Sequence, residues 1–138
     1  MKISARDEYA CAAVLELALN YDSEAPVRVQ DIAQRQGIPM KFLFQIMQIL
    51  KRVDIVRSRR GTEGGFVLTR APSQISVGDV IRAMSGPFVQ LSCLETNTEF
   101  KPIWAEVDQA IGGVLNNMTF EELARRARSS QRQLMYHI

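Results

Sequence analysis

The sequence predicts a mainly α-helical chain with a small β-hairpin wing: a winged helix-turn-helix followed by a long C-terminal dimerisation helix. Three observations carry that expectation. Pro39–Gly65 reads as a helix of about four turns, a short β-branched strand, a pair of arginines and a glycine-rich turn. A shorter helical segment closed by Gly37 precedes it, the spacing of a helix-turn-helix. Far downstream, Ile103, Val107, Ala110, Ile111, Val114 and Leu115 recur at intervals of three and four, which gives a long helix a broad apolar face.

The totals bound what such a chain can be. Its 138 residues leave room for one domain and an accessory arm, and a hydrophobic share of 46% argues against disorder. Residues 1–70 hold eleven Lys and Arg against eight acids, whereas residues 71–138 hold six against seven. Lys51–Arg60 alone carries five bases and one acid, a local charge of +4 on a chain whose total is +2. Positive charge is thus concentrated beside the expected reading helix, as a nucleic-acid site requires. A solvated basic face is the plainer reading of the charge taken by itself.

No apolar run approaches the roughly 18 residues of a membrane span, and no charged-then-apolar leader opens the sequence. A reduced, cytoplasmic chain is expected, with no membrane partner. Two cysteines, Cys11 and Cys93, are too few for a disulfide framework, and one histidine, His137, leaves little for zinc or catalysis. The turn Arg59–Gly65 lacks the Gly-Lys-Ser/Thr ending of a nucleotide-binding loop. With no paired-carboxylate motif, nucleophile elbow or metal-ligand cluster, no enzyme is expected.

In chain order, Ser4 caps a first helix whose acids Asp7 and Glu8 suit its N-terminus. Tyr9, Ala10, Ala13, Val14, Leu17, Ala18 and Tyr21 mark its apolar face. Asp22–Pro26 is a turn, and Val29–Gln36 is a second helix with Ile32 and Ala33 inward. Pro39 suits the start of the next helix. Leu43, Ile46, Met47 and Leu50 form its buried stripe, while Lys41, Gln45, Gln48 and Arg52 face outward and suit phosphates and base edges.

Val53–Arg57 and Phe66–Leu68 are expected as the strands of the wing, whose turn offers Arg59, Arg60 and Thr62 to DNA. Ala71–Ile75 reads as a linker, and Ser76–Met84 as a short helix stopped by Ser85–Gly86–Pro87. Leu91–Lys101 is irregular and holds Cys93. Pro102–Asn117 is the long helix, with Trp104 beside its seam. Thr119 and Glu122 promise a capping box for a short helix Phe120–Arg128, and the apolar tail Leu134, Met135, Tyr136 and Ile138 is expected to dock.

The expected division is therefore 1–87 as the DNA-binding unit, its first helix contributing to the dimer, 88–101 as a sensor-type loop, and 102–138 as dimerisation helix, short helix and tail. A small reading unit beside a long apolar helix argues for a dimer, since two-fold symmetry lets two helices read two half-sites. The alternative folds Pro102–Asn117 back as core of its own domain.

Several blocks resemble one family: MKIS and EYA, then DIAQRQGIPMKFL, then IVRSRRGTEGGFVLTRAPSQISVGDVIRAMSGP, then WAEVDQAIGGVLNNMTFEELA, and the ending LMYHI. They span most of the chain in the order of the Rrf family of bacterial winged-helix transcriptional regulators (IscR, NsrR and CymR types), the ending being most similar to the CymR branch. The resemblance implies a homodimer on a palindromic operator, most simply a repressor. It also implies that Met40, Lys41, Phe42 and Gln45 enter the major groove and that Arg60 enters the minor groove. The CymR branch further implies a corepressor protein, so a winged helix used as a protein-interaction module is a second reading.

Iron–sulfur members of the family place three cysteines before the tryptophan helix, and this chain matches only Cys93. One thiolate cannot hold a cluster that needs four protein ligands, so no cofactor is expected. Glu8 and Cys11, three apart on the first helix, could join Cys93 as an atypical metal or cluster site, and these three are the candidate sensor residues. Cys93 could otherwise act as a thiol switch, although Glu95 and Glu99 would raise its pKa.

Overall fold

The computed structural model describes residues 1–62, 64–90 and 99–136. Helix α1 (Ala5–Leu19) starts at Ser4, whose hydroxyl accepts from the Asp7 N–H at 3.1 Å while the Asp7 carboxylate accepts from the Ser4 N–H at 2.9 Å. That reciprocal cap satisfies two otherwise unpaired donors. Asp7 is 1% exposed, and its second oxygen accepts from the Ser85 hydroxyl at 2.6 Å. The cap therefore also ties the start of α1 to a residue 78 positions away.

Ala10, Ala13, Val14, Leu17 and Ala18 are buried as expected. Tyr21 is not on their stripe. The chain leaves the helix at Asn20, whose amide donates to the Glu16 carbonyl, and Tyr21 sits exposed in a 3₁₀ turn, Tyr21–Ser23. The buried Glu16 carboxylate accepts from Asn20 at 2.9 Å and from Gln36 at 3.3 Å, with the Arg35 guanidinium at 3.6 Å. It clamps α1 to α2 (Val29–Gln36).

Ile32 and Ala33 of α2 point inward, and Gly37 closes the helix in the left-handed region at φ 66°. Pro39 then opens α3 (Met40–Arg52), in which Leu43, Ile46, Met47 and Leu50 are completely buried.

The expected strand Val53–Arg57 is corrected to β1 (Val56–Arg59). Residues 53–55 close α3 instead: Asp54 takes a left-handed φ of 61°, and the Ile55 N–H returns to the Leu50 carbonyl at 2.9 Å. β1 pairs antiparallel with β2 (Gly65–Leu68), with Val56 opposite Leu68 and Arg59 opposite Gly65.

Sequence reading missed a third contact. Val27 bridges Phe66 through two 2.9 Å backbone bonds, which pin the wing to the α1–α2 connection. Gly65 makes room for that approach, because a Cβ there would sit on the Val27 carbonyl. Gly65→Ala is expected to lower stability by about 1–3 kcal/mol, read as a lower urea midpoint. An unchanged midpoint would remove the Val27 bridge from the account.

After a 3₁₀ turn at Pro72–Gln74, α4 (Val77–Ser85) is capped by Ser76 and Asp79, again reciprocally, at 3.1 and 2.9 Å. Helix α5 (Lys101–Leu115) follows. It meets α4 where Gly78 and the buried Gly112 pass Asn116 and Phe88. Ile103, Trp104, Val107 and Val114 stay exposed, so α5 is not folded back as core of its own chain.

Two expectations about the ending are also corrected. The short helix Phe120–Arg128 extends as α6 (Phe120–Tyr136), since no Gly or Pro interrupts that stretch. Leu134 and Met135 do not dock within the chain, Met135 being 77% exposed, and Ile138 lies outside the described residues. The capping box is half made: Thr119 accepts from the Glu122 N–H at 3.2 Å, while the Glu122 carboxylate pairs with Arg125 and Arg126.

Phe120 is completely buried, and its N–H donates to the Ile75 carbonyl at 3.0 Å. The Val77 N–H donates to the Met118 carbonyl at 2.9 Å, so α6 is clipped to the segment leading into α4. Its first turns also pack on α1. No helix among the described residues is long and apolar enough to cross a membrane.

Candidate nucleic-acid interface

Helix α3 divides cleanly into two faces. At about 100° per residue, positions 41, 44, 45, 48 and 52 fall within an arc of about 100°. All five side chains, Lys41, Phe44, Gln45, Gln48 and Arg52, are exposed, and the buried stripe lies opposite. No acidic residue occurs between Pro39 and Val53, so nothing on this face repels a phosphate.

The expected groove-entering residues at the helix start separate into two kinds. Lys41 is exposed, but Met40 and Phe42 are half-buried against the core. The Phe42 ring stacks on Tyr9 of α1 at 6.2 Å, and the Lys41 ammonium lies over that ring at 5.0 Å. Phe42 thus fixes the angle of α3 against α1 and holds Lys41 from beneath.

The wing follows α3 through a three-residue turn and carries Arg57, Arg59, Arg60 and Thr62, all exposed. They are not equivalent. Arg59 reaches to the α1–α2 connection, its guanidinium donating to the Glu24 carbonyl at 3.2 Å. Arg28, which sequence reading missed, donates to the Thr62 carbonyl at 3.2 Å and ties the wing turn to the start of α2. The two residues are 34 positions apart, and no local pattern announces the pair.

Two of the three candidate sensor residues lie on α1. Glu8 is exposed on α1, Cys11 is half-buried and packed on the core, and Cys93 lies outside the described residues. Burial, with smaller contributions from the Asp7 and Glu8 carboxylates, pushes the Cys11 thiol up to about 11. Below that pH it is a neutral thiol, neither a ready ligand nor a nucleophile. Among the described residues, no three His, Cys, Asp or Glu side chains come together as metal ligands.

In a Cys93→Ser variant, alkylation of Cys11 by iodoacetamide is expected to be slow near neutrality and to accelerate up to a pH of about 11. The sign for stability follows. The unfolded thiol ionises from 9.0 and the folded one from about 11, so stability is lost as pH rises through that window. A rate that levels off near 9.0 would show Cys11 to be solvated.

A helix-turn-helix, a hairpin wing pinned beside it and an outward cationic helix face define a winged-helix DNA-binding regulator. The chain belongs to the Rrf2 family, whose model, described as iron-dependent transcriptional regulator, matches residues 3–126. It is 33% identical over 139 residues to the HTH-type transcriptional regulator CymR of Bacillus subtilis, with all of both chains covered. It is 34% identical to the IscR regulator of Serratia proteamaculans over 89% of this chain and 79% of that one.

Among solved structures, the B. subtilis global cysteine regulator CymR superposes with a TM-score of 0.80 at 33% identity, over 91% of this chain and 98% of that one. IscR of T. potens superposes with a TM-score of 0.78 at 32% identity, over 95% and 91%. The family and these relatives are transcriptional regulators, not enzymes.

Proposed function

We propose that the chain works as a homodimeric repressor on a palindromic operator, occluding a promoter with two copies of the α3 face and wing. The observation that carries this reading is the acid-free outward face of α3 running directly into an arginine-bearing hairpin. Lys41, Gln45, Gln48 and Arg52 would meet the major groove and Arg60 the minor groove, while Thr62 lies by the backbone and Arg59 stays on the Glu24 carbonyl. Met40 and Phe42 support the helix start.

The dimer reading rests on α5, where Ile103, Trp104, Val107 and Val114 present apolar surface that a monomer would leave wet. A second copy related by two-fold symmetry covers it and sets the spacing of the two reading heads.

The signal reaches this regulator without an iron–sulfur cluster. Such a cluster needs four protein ligands, whereas the whole chain has two cysteines and one histidine, and the Cys11 thiol is held neutral by burial. The donor set does not fit the group. A thiol at Cys93 or a corepressor protein is then the route for the signal.

The test is enrichment of duplexes from a random library by the full chain, followed by mass measurement of the complex. A symmetric consensus carrying two chains is expected. Failure to enrich any sequence, or a monomer at micromolar concentration, would overturn the reading.

A further inference from the structure

Arg60 stands just outside the strand ladder of the wing. The last paired residues of the hairpin are Arg59 and Gly65, so Arg60 opens the turn that joins the strands. A bond from the Gly64 N–H to the Gly61 carbonyl at 3.0 Å closes that turn, and Gly61 takes a φ of 125°. A hairpin of two four-residue strands is marginal by itself. A side chain that enters a groove from such a turn loses affinity to ordering unless something else fixes the turn.

Arg28 is placed to do this. It is the residue at which α2 starts, directly after Val27, whose backbone is bridged to Phe66. The base from which it reaches is firm, since Val27 and Ile32 are both buried. Its exposed guanidinium donates to the Thr62 carbonyl at 3.2 Å, two residues beyond Arg60, a charge-assisted bond. The side chain makes no capping bond to α2, so its reach to the wing is not a by-product of closing its own helix. Arg59 anchors the strand end through the Glu24 carbonyl, and Arg28 anchors the turn beyond it.

We propose that Arg28 is a positioning residue for DNA binding: it holds the wing turn so that Arg60 meets the minor groove already ordered, and it does not itself touch the duplex. This assignment rests on the DNA-binding reading above and deepens it. Loss of one such bond is worth about a fivefold drop in affinity per half-site, roughly twenty-five-fold for two.

The experiment is a pair of double-mutant cycles on the duplex enriched by the wild-type chain, read by anisotropy with complex mass and urea midpoint alongside. Arg28→Ser removes the guanidinium while placing a favoured capping residue at the start of α2, so the fold is kept. One cycle combines it with Arg60→Ala and the other with Lys41→Ala. Arg28→Ser alone is expected to lose about fivefold per half-site. In the Arg60→Ala background it should lose nothing further, whereas in the Lys41→Ala background the full loss should remain. Arg28→Lys, which keeps a cationic donor on a long stem, should recover part of the affinity.

Full additivity with Arg60→Ala, with the salt slope falling by about one more per chain, would overturn the proposal by placing Arg28 on a phosphate. Equal coupling to Arg60 and Lys41 would overturn it too, by showing a general loosening of the fold. So would an Arg28→Ser chain that binds like wild type. In each of these cases wild-type duplex binding survives. Loss of the DNA-binding reading itself is recognised differently, by wild type enriching no sequence at all.

Discussion

Val107→Asp is expected to leave a folded chain that has become monomeric and binds its operator at least about a hundredfold more weakly. Val107 lies at the middle of the α5 face formed with Ile103, Trp104 and Val114, and it is 40% exposed in the single chain. The substitution opens no cavity in the core and leaves the capped ends of α1 and α4 untouched, so circular dichroism should not change. In the dimer the same carboxylate would be buried without a partner, and by symmetry twice. An unpaired buried charge costs several kcal/mol, enough to dissociate an interface of ordinary size at micromolar concentration. Affinity falls with the mass because a monomer holds only one half-site. A stable dimer of Val107→Asp, seen by sedimentation, would show that α5 is not the seam.

Arg60→Ala is expected to weaken operator binding by about 1–3 kcal/mol at moderate salt, with an unchanged circular dichroism spectrum. Arg60 is exposed at the wing, next to the turn that Arg28 ties to α2. Its removal should also flatten the salt dependence, by a slope change of about one per chain. Arg59→Ala provides the internal control. The Arg59 guanidinium already donates to the Glu24 carbonyl, so the variant should lose less affinity than Arg60→Ala. Equal losses at the two positions would mean that the wing contributes charge alone, with no residue seated in a groove.

The parts of this molecule that a sequence reader can see are those governed by short-range periodicity. Leu43, Ile46, Met47 and Leu50 recur at three and four, and the helix they define has them completely buried. Ser4 as the cap of α1 was legible for the same reason, with Asp7 three residues on, whereas the matching Ser76–Asp79 cap of α4 was not read from the sequence. Boundaries set by distant or backbone contacts were not. The wing strand starts at Val56 rather than Val53 because Asp54 turns left-handed to close α3, which composition does not announce. Val27 reaches Phe66, and Arg28 reaches Thr62, across segments whose intervening residues carry no matching signal.

Phe42 shows the limit from the other side. The family resemblance implied a groove contact for it, and in the folded chain its ring stacks on Tyr9, a packing role that no local pattern announces. The run beyond Arg128 was read as a tail docked by Leu134, Met135, Tyr136 and Ile138. It nevertheless continues as helix to Tyr136, since nothing in it stops one.

The most direct measurement is a titration of the enriched duplex with full-length chain at a series of salt concentrations, read by anisotropy together with complex mass. If Lys41, Arg52 and Arg60 of each copy displace one counterion apiece, two chains should bind per duplex, and log affinity should fall against log salt with a slope of about −5. One chain per duplex, or an affinity indifferent to salt, would contradict the paired helix-and-wing surface.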